Sequence, residues 1–392
     1  MLEHLSAARA QAMLSPSARV IVASASRDGG ASQASVLPWR ELHWPTLVSL
    51  TAFERAEAQV FRLLRAAPVG DVPDDVLQAM QGIFRVSAFR AAELADAASG
   101  VADALTAHGI EALWLKGAAL AMQSPDDFSL RSMGDLDLLV GLADSAKARV
   151  ALRLIGWQDG AADSSYDAHH HGAPMVLPGG LRLELHHNLF PPGHPFTDDE
   201  TSVWLGRGMQ VRWGDRSVRV LPAVWHLVHA SIHWAWSHEG EVGTWQYLHD
   251  VRQITAQWDS DDPRWSEAVR CARTLDAAVA VGWALWTGAR LGGVRVPEAL
   301  LAELRGAPRP LTGIAERAWV VRTFRSPMAS PSVAWSRYWW RYAMRGLGDA
   351  SRDWPWLAGR MAAPAIMPTV GHGTAGATLI RWRRHLARVL LG

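Results

Sequence analysis

The residues best suited to chemistry are two acids one position apart, Asp135 and Asp137, in the apolar run GDLDLLV (134–140). In a strand, alternate residues share a face, so the two carboxylates project side by side while Leu136, Leu138 and Val140 turn to the core. Adjacent carboxylates repel, which raises the proton affinity of each unless a cation lies between them. A hard divalent ion such as Mg²⁺ is the usual answer, because it takes carboxylate oxygens and leaves room for phosphate. A third acid, Glu184, sits on a second alternating run, LRLELHH (181–187). There Arg182, Glu184 and His186 share one face, and Leu181, Leu183 and Leu185 the other.

The elements that must position these acids follow from periodicity. Residues 110–115 read as a short strand ending at a Lys116-Gly117 turn, followed by a small-residue helix and a polar loop carrying Arg131. After the 135–140 strand, residues 143–155 read as a helix with Ala146, Val150 and Leu154 on one side, stopped by Gly156. A strand over 169–177 turns at Gly179-Gly180 into the Glu184 strand. Upstream, helices are expected over 44–65 and 76–108, the second with Leu94, Ala98, Val101 and Leu105 on one face. Residues 24–35 are Gly/Ser-rich, which makes the first 35 residues a flexible segment by composition. Beyond residue 200 helical spacing dominates, with most of the 21 tryptophans and a short hairpin near Gly214.

The expected fold is therefore α/β (α+β): a small mixed sheet flanked by helices. It divides into a flexible segment at 1–35, a helical subdomain at 36–109, the sheet-bearing core at 110–200 and an α-helical domain at 201–392.

Lys116-Gly117, Arg131, the run 134–140 and the LELH around Glu184 together resemble the bacterial "uncharacterised nucleotidyltransferase" family. That family belongs to the DNA-polymerase-β-like superfamily, and some members lie beside lasso-peptide biosynthesis genes. The superfamily carries Gly-Ser at the turn; here Gly117 is followed by Ala118, so that serine hydroxyl is missing. The resemblance implies transfer of a nucleoside monophosphate from an NTP, ATP by default, with release of pyrophosphate. It implies two Mg²⁺ ions, or Mn²⁺ in their place, held by Asp135, Asp137 and Glu184, with Glu184 also accepting the nucleophile's proton. Nucleotide binding would fall to Lys116, Gly117, Ala118, Arg131 and His186. Gly117 lets backbone approach the phosphates, Lys116 and Arg131 neutralise them, and His186 touches the nucleotide or orients Glu184. The acceptor is open among a peptide natural product, a small molecule, an RNA end and a protein.

Two rival readings arise from the same chain. His226, His229 and His233 fall on one helical face, and His229 with His249-Asp250 follows the order of HD-type phosphohydrolases. Arginines interleaved with aromatics at 335–345 and in the tail RWRRHLAR suit a non-catalytic nucleic-acid-binding module. The net charge of +1 argues against a chain built mainly to coat nucleic acid. One cysteine, Cys271, rules out a disulfide framework and a thiolate zinc site and fits the cytoplasm. The N-terminus lacks the apolar core of a signal peptide. The longest uncharged apolar run, between Asp276 and Arg290, is too short to span a bilayer of ~30 Å.

Overall fold

The computed structural model describes residues 5–26, 28, 30–124, 128–160, 170–190, 196–197, 199–240, 242–306, 312–324, 340 and 343–344. Five helices come first: α1 (Ala7–Ala12), α2 (Pro16–Ser24), α3 (Trp44–Glu54), α4 (Glu57–Arg65) and the long α5 (Asp74–Ala107). Then β1 (Ala112–Trp114), α6 (Lys116–Met122), β2 (Asp135–Val140) and α7 (Leu142–Leu154) lead to β3 (Gln158–Asp159), β4 (Met175–Val176) and β5 (Arg182–His186). After α8 (Thr201–Arg207) a hairpin of β6 (Met209–Trp213) and β7 (Arg216–Val220) returns to the sheet. The remainder is helical: α9 (Ala223–Ile232), α10 (Thr244–Ile254), α11 (Pro263–Thr274), α12 (Ala278–Arg290), α13 (Glu298–Arg305) and α14 (Thr312–Arg322).

The sheet is mixed, in the order β3-β4-β5-β2-β1-β7-β6. Its centre is the parallel pair β2–β5, with β1 antiparallel to β2 and β7 parallel to β1. Each face packs against its own apolar layer. Leu136, Leu138, Val140, Leu183 and Leu185 join Leu94, Ala98, Val101 and Leu105 of α5 and the inner face of α7. Leu113, Leu115 and Leu139 point the other way, into a second core shared with α9–α12 and the N-terminal helices. The acids on the second face therefore look toward the helical half of the molecule, as strand alternation requires.

Several sequence expectations change. Residues 5–26 are not a tail: Ser6 and Ser15 cap α1 and α2, and Val20 and Ile21 of α2 are fully buried. Asp28 holds the following turn by accepting from the Gly30 and Ser32 amides. The Leu5 amide donates to Glu316 (2.7 Å) and the Trp245 indole to Ser24 (3.0 Å), so this segment is fastened to α14 and α10. The helix expected over 44–65 is two helices, broken where Arg55 turns left-handed at φ 55°. In α7 Ala146, Val150 and Leu154 do share one side, but it faces solvent, while Ala148, Ala151 and Leu152 pack on the sheet. The sheet also does not end at residue 200, since the β6–β7 hairpin supplies its far edge. His169 and most of 335–345 lie outside the described residues, as does the RWRRHLAR tail. No helix among the described residues is long and apolar enough to cross a membrane.

Glu54, the last residue of α3, is buried and accepts from the Trp245 amide (2.8 Å) at the start of α10. Burial pushes its carboxyl up from 4.5 to about 7, only partly offset by the amides of Trp245 and Thr244. An acid whose folded pKa is raised costs stability as pH climbs from its unfolded value through its folded one. The Glu54→Gln variant should therefore gain on the parent from pH 5 to pH 8, by up to on the order of 3 kcal/mol. Paired thermal melts across that range measure it, and parallel curves would show that Glu54 does not titrate there.

Candidate active site

Register brings the three acids together. Asp137 pairs directly with Glu184 across the parallel strands, and Asp135 sits opposite Arg182 at the strand entrance. Asp137, Glu184 and His186 each offer a ligand atom, all within 4.8 Å of one another. Among the described residues no other such group of His, Cys, Asp or Glu forms. The acids open into a cavity of about 750 Å³ between the sheet and the helical half, lined in part by Lys116, Arg131, Tyr247 and Asp250.

Lys116 opens α6 with φ 49°, a left-handed conformation that costs a non-glycine residue roughly 1–2 kcal/mol. Its Nζ lies 2.7 Å from Asp137 Oδ1, and His186 Nε2 lies 2.9 Å from the same oxygen. These contacts separate the fates of the two aspartates. Burial works against the Asp137 charge, but Lys116 and His186 outweigh it and hold the carboxyl well below its usual range. Asp135 is pushed up to about 6 by burial and by the neighbouring Asp137 charge, which Lys116 only partly offsets. The expected mutual repulsion thus falls on one acid rather than both. Burial would depress the Lys116 ammonium, yet the Asp137 charge overrides it and raises its pKa.

This donor set fits a divalent cation. It consists of hard carboxylate oxygens with one imidazole, and Asp135 carries a charge its surroundings do not neutralise. His186 joins Asp137 and Glu184 in the tightest cluster, a position sequence spacing had given to Asp135.

Two expected nucleotide contacts are placed differently. Arg131 is buried, and its Nε and Nη2 form a fork on Asp250 at 2.6 and 2.8 Å. The rest of its guanidinium presses on Gly117, where a Cβ would fall 2.7 Å from Arg131 Cζ. Arg131 therefore braces the loop before β2 to α10 instead of standing free for phosphate. Ala118 is buried in the apolar layer beneath the sheet and does not line the cavity. Gly117 does line it.

Opposite the acids stands a wall of imidazoles. His229 comes from α9, and His233 from the π-helical turn His233–Ser237 that continues it; such turns recur at functional sites. His238 stacks edge-on to His233 with centroids 4.5 Å apart, and His170 and His171 close the side nearest His186. Burial pushes His229 down to about 3 and His238 to about 4, and Lys116 adds to both shifts, so these two imidazoles are neutral at physiological pH. The buried Nδ1 atoms of His170, His186 and His229 have no hydrogen-bond partner among the described residues.

The same geometry removes the phosphohydrolase arrangement. Both Asp250 oxygens are taken by Arg131, and the His249 ring stacks on Trp245 at 5.1 Å and 11°. Neither residue joins the clustered donors.

Among solved structures, the chain aligns with an antigenic nucleotidyltransferase-like protein from Paracoccidioides brasiliensis. The TM-score is 0.30 and the identity 15%, over 55% of this chain and 93% of that one, a likeness too slight to build on. Among curated proteins none matches. The model of the family described as "Uncharacterised nucleotidyltransferase" matches residues 40–293, more than half of the sequence, including Asp135, Asp137, Glu184 and Lys116. The chain belongs to that nucleotidyltransferase family.

Proposed function

We propose that this protein is a metal-dependent nucleotidyltransferase that moves a nucleoside monophosphate from an NTP to a hydroxyl- or phosphate-bearing acceptor, releasing pyrophosphate. The observation that carries the reading is the convergence of Asp135, Asp137 and Glu184 from two parallel strands onto one cavity that also holds a lysine. Asp135, Asp137 and Glu184 would hold Mg²⁺, or Mn²⁺, with His186 beside them. Bound there, divalent ions supply charge neutralisation and polarisation of the phosphoryl oxygens.

The chain's own residues supply the rest. Lys116 and His186 fix the Asp137 carboxylate in its ionised form and in one orientation. Glu184 takes the proton of the acceptor hydroxyl as its oxygen bonds to the α-phosphorus. The bond from that phosphorus to the bridging oxygen breaks on the opposite side, and pyrophosphate leaves with the electron pair. Gly117 leaves room for the Arg131 guanidinium where a Cβ would clash, and its backbone lines the cavity where the phosphates would lie. His229 and His238, being neutral, offer hydrogen bonds to the acceptor without adding charge that would compete for the acids. ATP is the default donor, and a cytoplasmic setting supplies it; the single cysteine is buried and free.

The test is incubation with each NTP labelled at the α- or the γ-phosphate, Mg²⁺ and cell extract. Label should pass to an acceptor from the α-position and not from the γ-position. Peptides are the first purified acceptors to offer, as the family resemblance suggests. Transfer of γ-label, or none from any NTP, would remove the assignment.

A further inference from the structure

We infer that Arg55, contributed by the helical region before the sheet, binds the pyrophosphate end of the NTP; this rests on the nucleotidyl-transfer reading above. Arg55, Lys116 and Arg131 are the lysine and arginine side chains among the described residues lining the cavity. Lys116 is committed to Asp137 and Arg131 to Asp250. Arg55 forms no hydrogen bond or ion pair through its guanidinium with any described residue. Of the acids beside it in sequence, Glu54 accepts from the Trp245 amide and Glu57 from Ser132, each at 2.8 Å.

Position supports the same role. The Arg55 guanidinium lies against Gly134, the residue just before Asp135, so closely that a Cβ there would fall 2.9 Å from Nη2. It therefore stands at the entrance end of β2, whereas His186 and Glu184 lie further along β5. In an in-line displacement the leaving and attacking oxygens occupy opposite sides of the phosphorus. With the pyrophosphate turned toward Arg55, the acceptor enters from the histidine side, where Glu184 has His171 and His186 within 4 Å. A guanidinium fork suits two phosphate oxygens better than an ammonium does.

The backbone is held in the left-handed region at Arg55, φ 55°, where glycine is the natural residue. Retaining a strained arginine there trades stability for the placement of its side chain. This separates a binding role from a structural one, because Arg55→Gly removes the guanidinium and relieves the backbone together.

The experiment is calorimetric titration of the full chain with ATP, AMP and inorganic triphosphate in Mg²⁺, alongside thermal melts. The parent should bind ATP and triphosphate well above AMP. Arg55→Gly should melt higher than the parent, lose at least about tenfold in affinity for ATP and triphosphate, and keep its affinity for AMP. Arg55→Lys should fall between the two. An Arg55→Gly protein that binds triphosphate as the parent does would overturn the assignment while leaving nucleotidyl transfer intact. If the parent binds ATP but does not prefer it to AMP, Arg55 is likewise excluded. A parent that binds no nucleotide would sink both readings. Should Arg55→Gly fail to fold, Arg55→Ala and Arg55→Lys carry the same comparison.

Discussion

Asp137→Asn should lower nucleotidyl transfer by about 10³-fold or more while the protein stays folded. Asp137 is the most enclosed of the three acids and the one whose ionised form is most strongly held. Asparagine keeps the shape and an oxygen able to accept from Lys116 and His186, so the local hydrogen bonds survive. It does not keep the negative charge that a phosphoryl-transfer site needs beside its cations. Lys116 then loses its closest counter-charge, but it still feels Asp135 and Glu184, which limits the cost to the fold. Single-turnover rates with α-labelled NTP and a thermal melt of the same preparation measure the two effects separately. Near-normal turnover would show that these acids are not the reacting centre.

The second large effect is on stability. Substituting Arg131 alone, as Arg131→Met, leaves the Asp250 carboxylate without its fork in a site where both side chains are about nine-tenths covered. Stranding a buried charge in this way costs on the order of 3–5 kcal/mol. Asp250→Leu alone should cost a similar amount by stranding the guanidinium. The double variant, with neither charge left, should recover most of the loss, because the desolvation penalty vanishes along with the attraction. Denaturant unfolding of the four proteins closes the cycle. If the two losses simply add, Arg131 and Asp250 do not act as a unit. Activity should fall in all three variants, since the pair joins the loop before β2 to the helix facing it.

Strand patterning made the acids legible. Leu136, Leu138 and Val140 fix which way β2 faces, and Leu183 and Leu185 do the same for β5, so Asp135, Asp137 and Glu184 had to share the opposite face. The α5 stripe from Leu94 to Leu105 was readable for the same reason at helical period. In α7 the side that packs was not legible, because alanines occur on both sides of the helix and the sheet accepts Ala148 and Ala151. The Arg131–Asp250 brace spans 119 positions, beyond any local pattern. Arg55 was hidden differently: neither Gly nor Pro marks the break between α3 and α4, so a continuous helix was the natural reading. Nor does Gly/Ser composition reveal that Ser6 and Ser15 serve as caps.

The position of β7 has a consequence for how this protein can be divided. A chain cut near residue 200 would keep every acid of the site, yet β1 would lose the parallel neighbour that satisfies one side of its backbone. Leu113 and Trp114 would then border an open edge, the kind of surface that recruits strands from other molecules. Because β7 passes into α9 through only Leu221 and Pro222, the strand that covers β1 and the helix that bears His229 are one continuous arm. Separating the sheet's acids from the helical half would therefore leave β1 without a partner on one side.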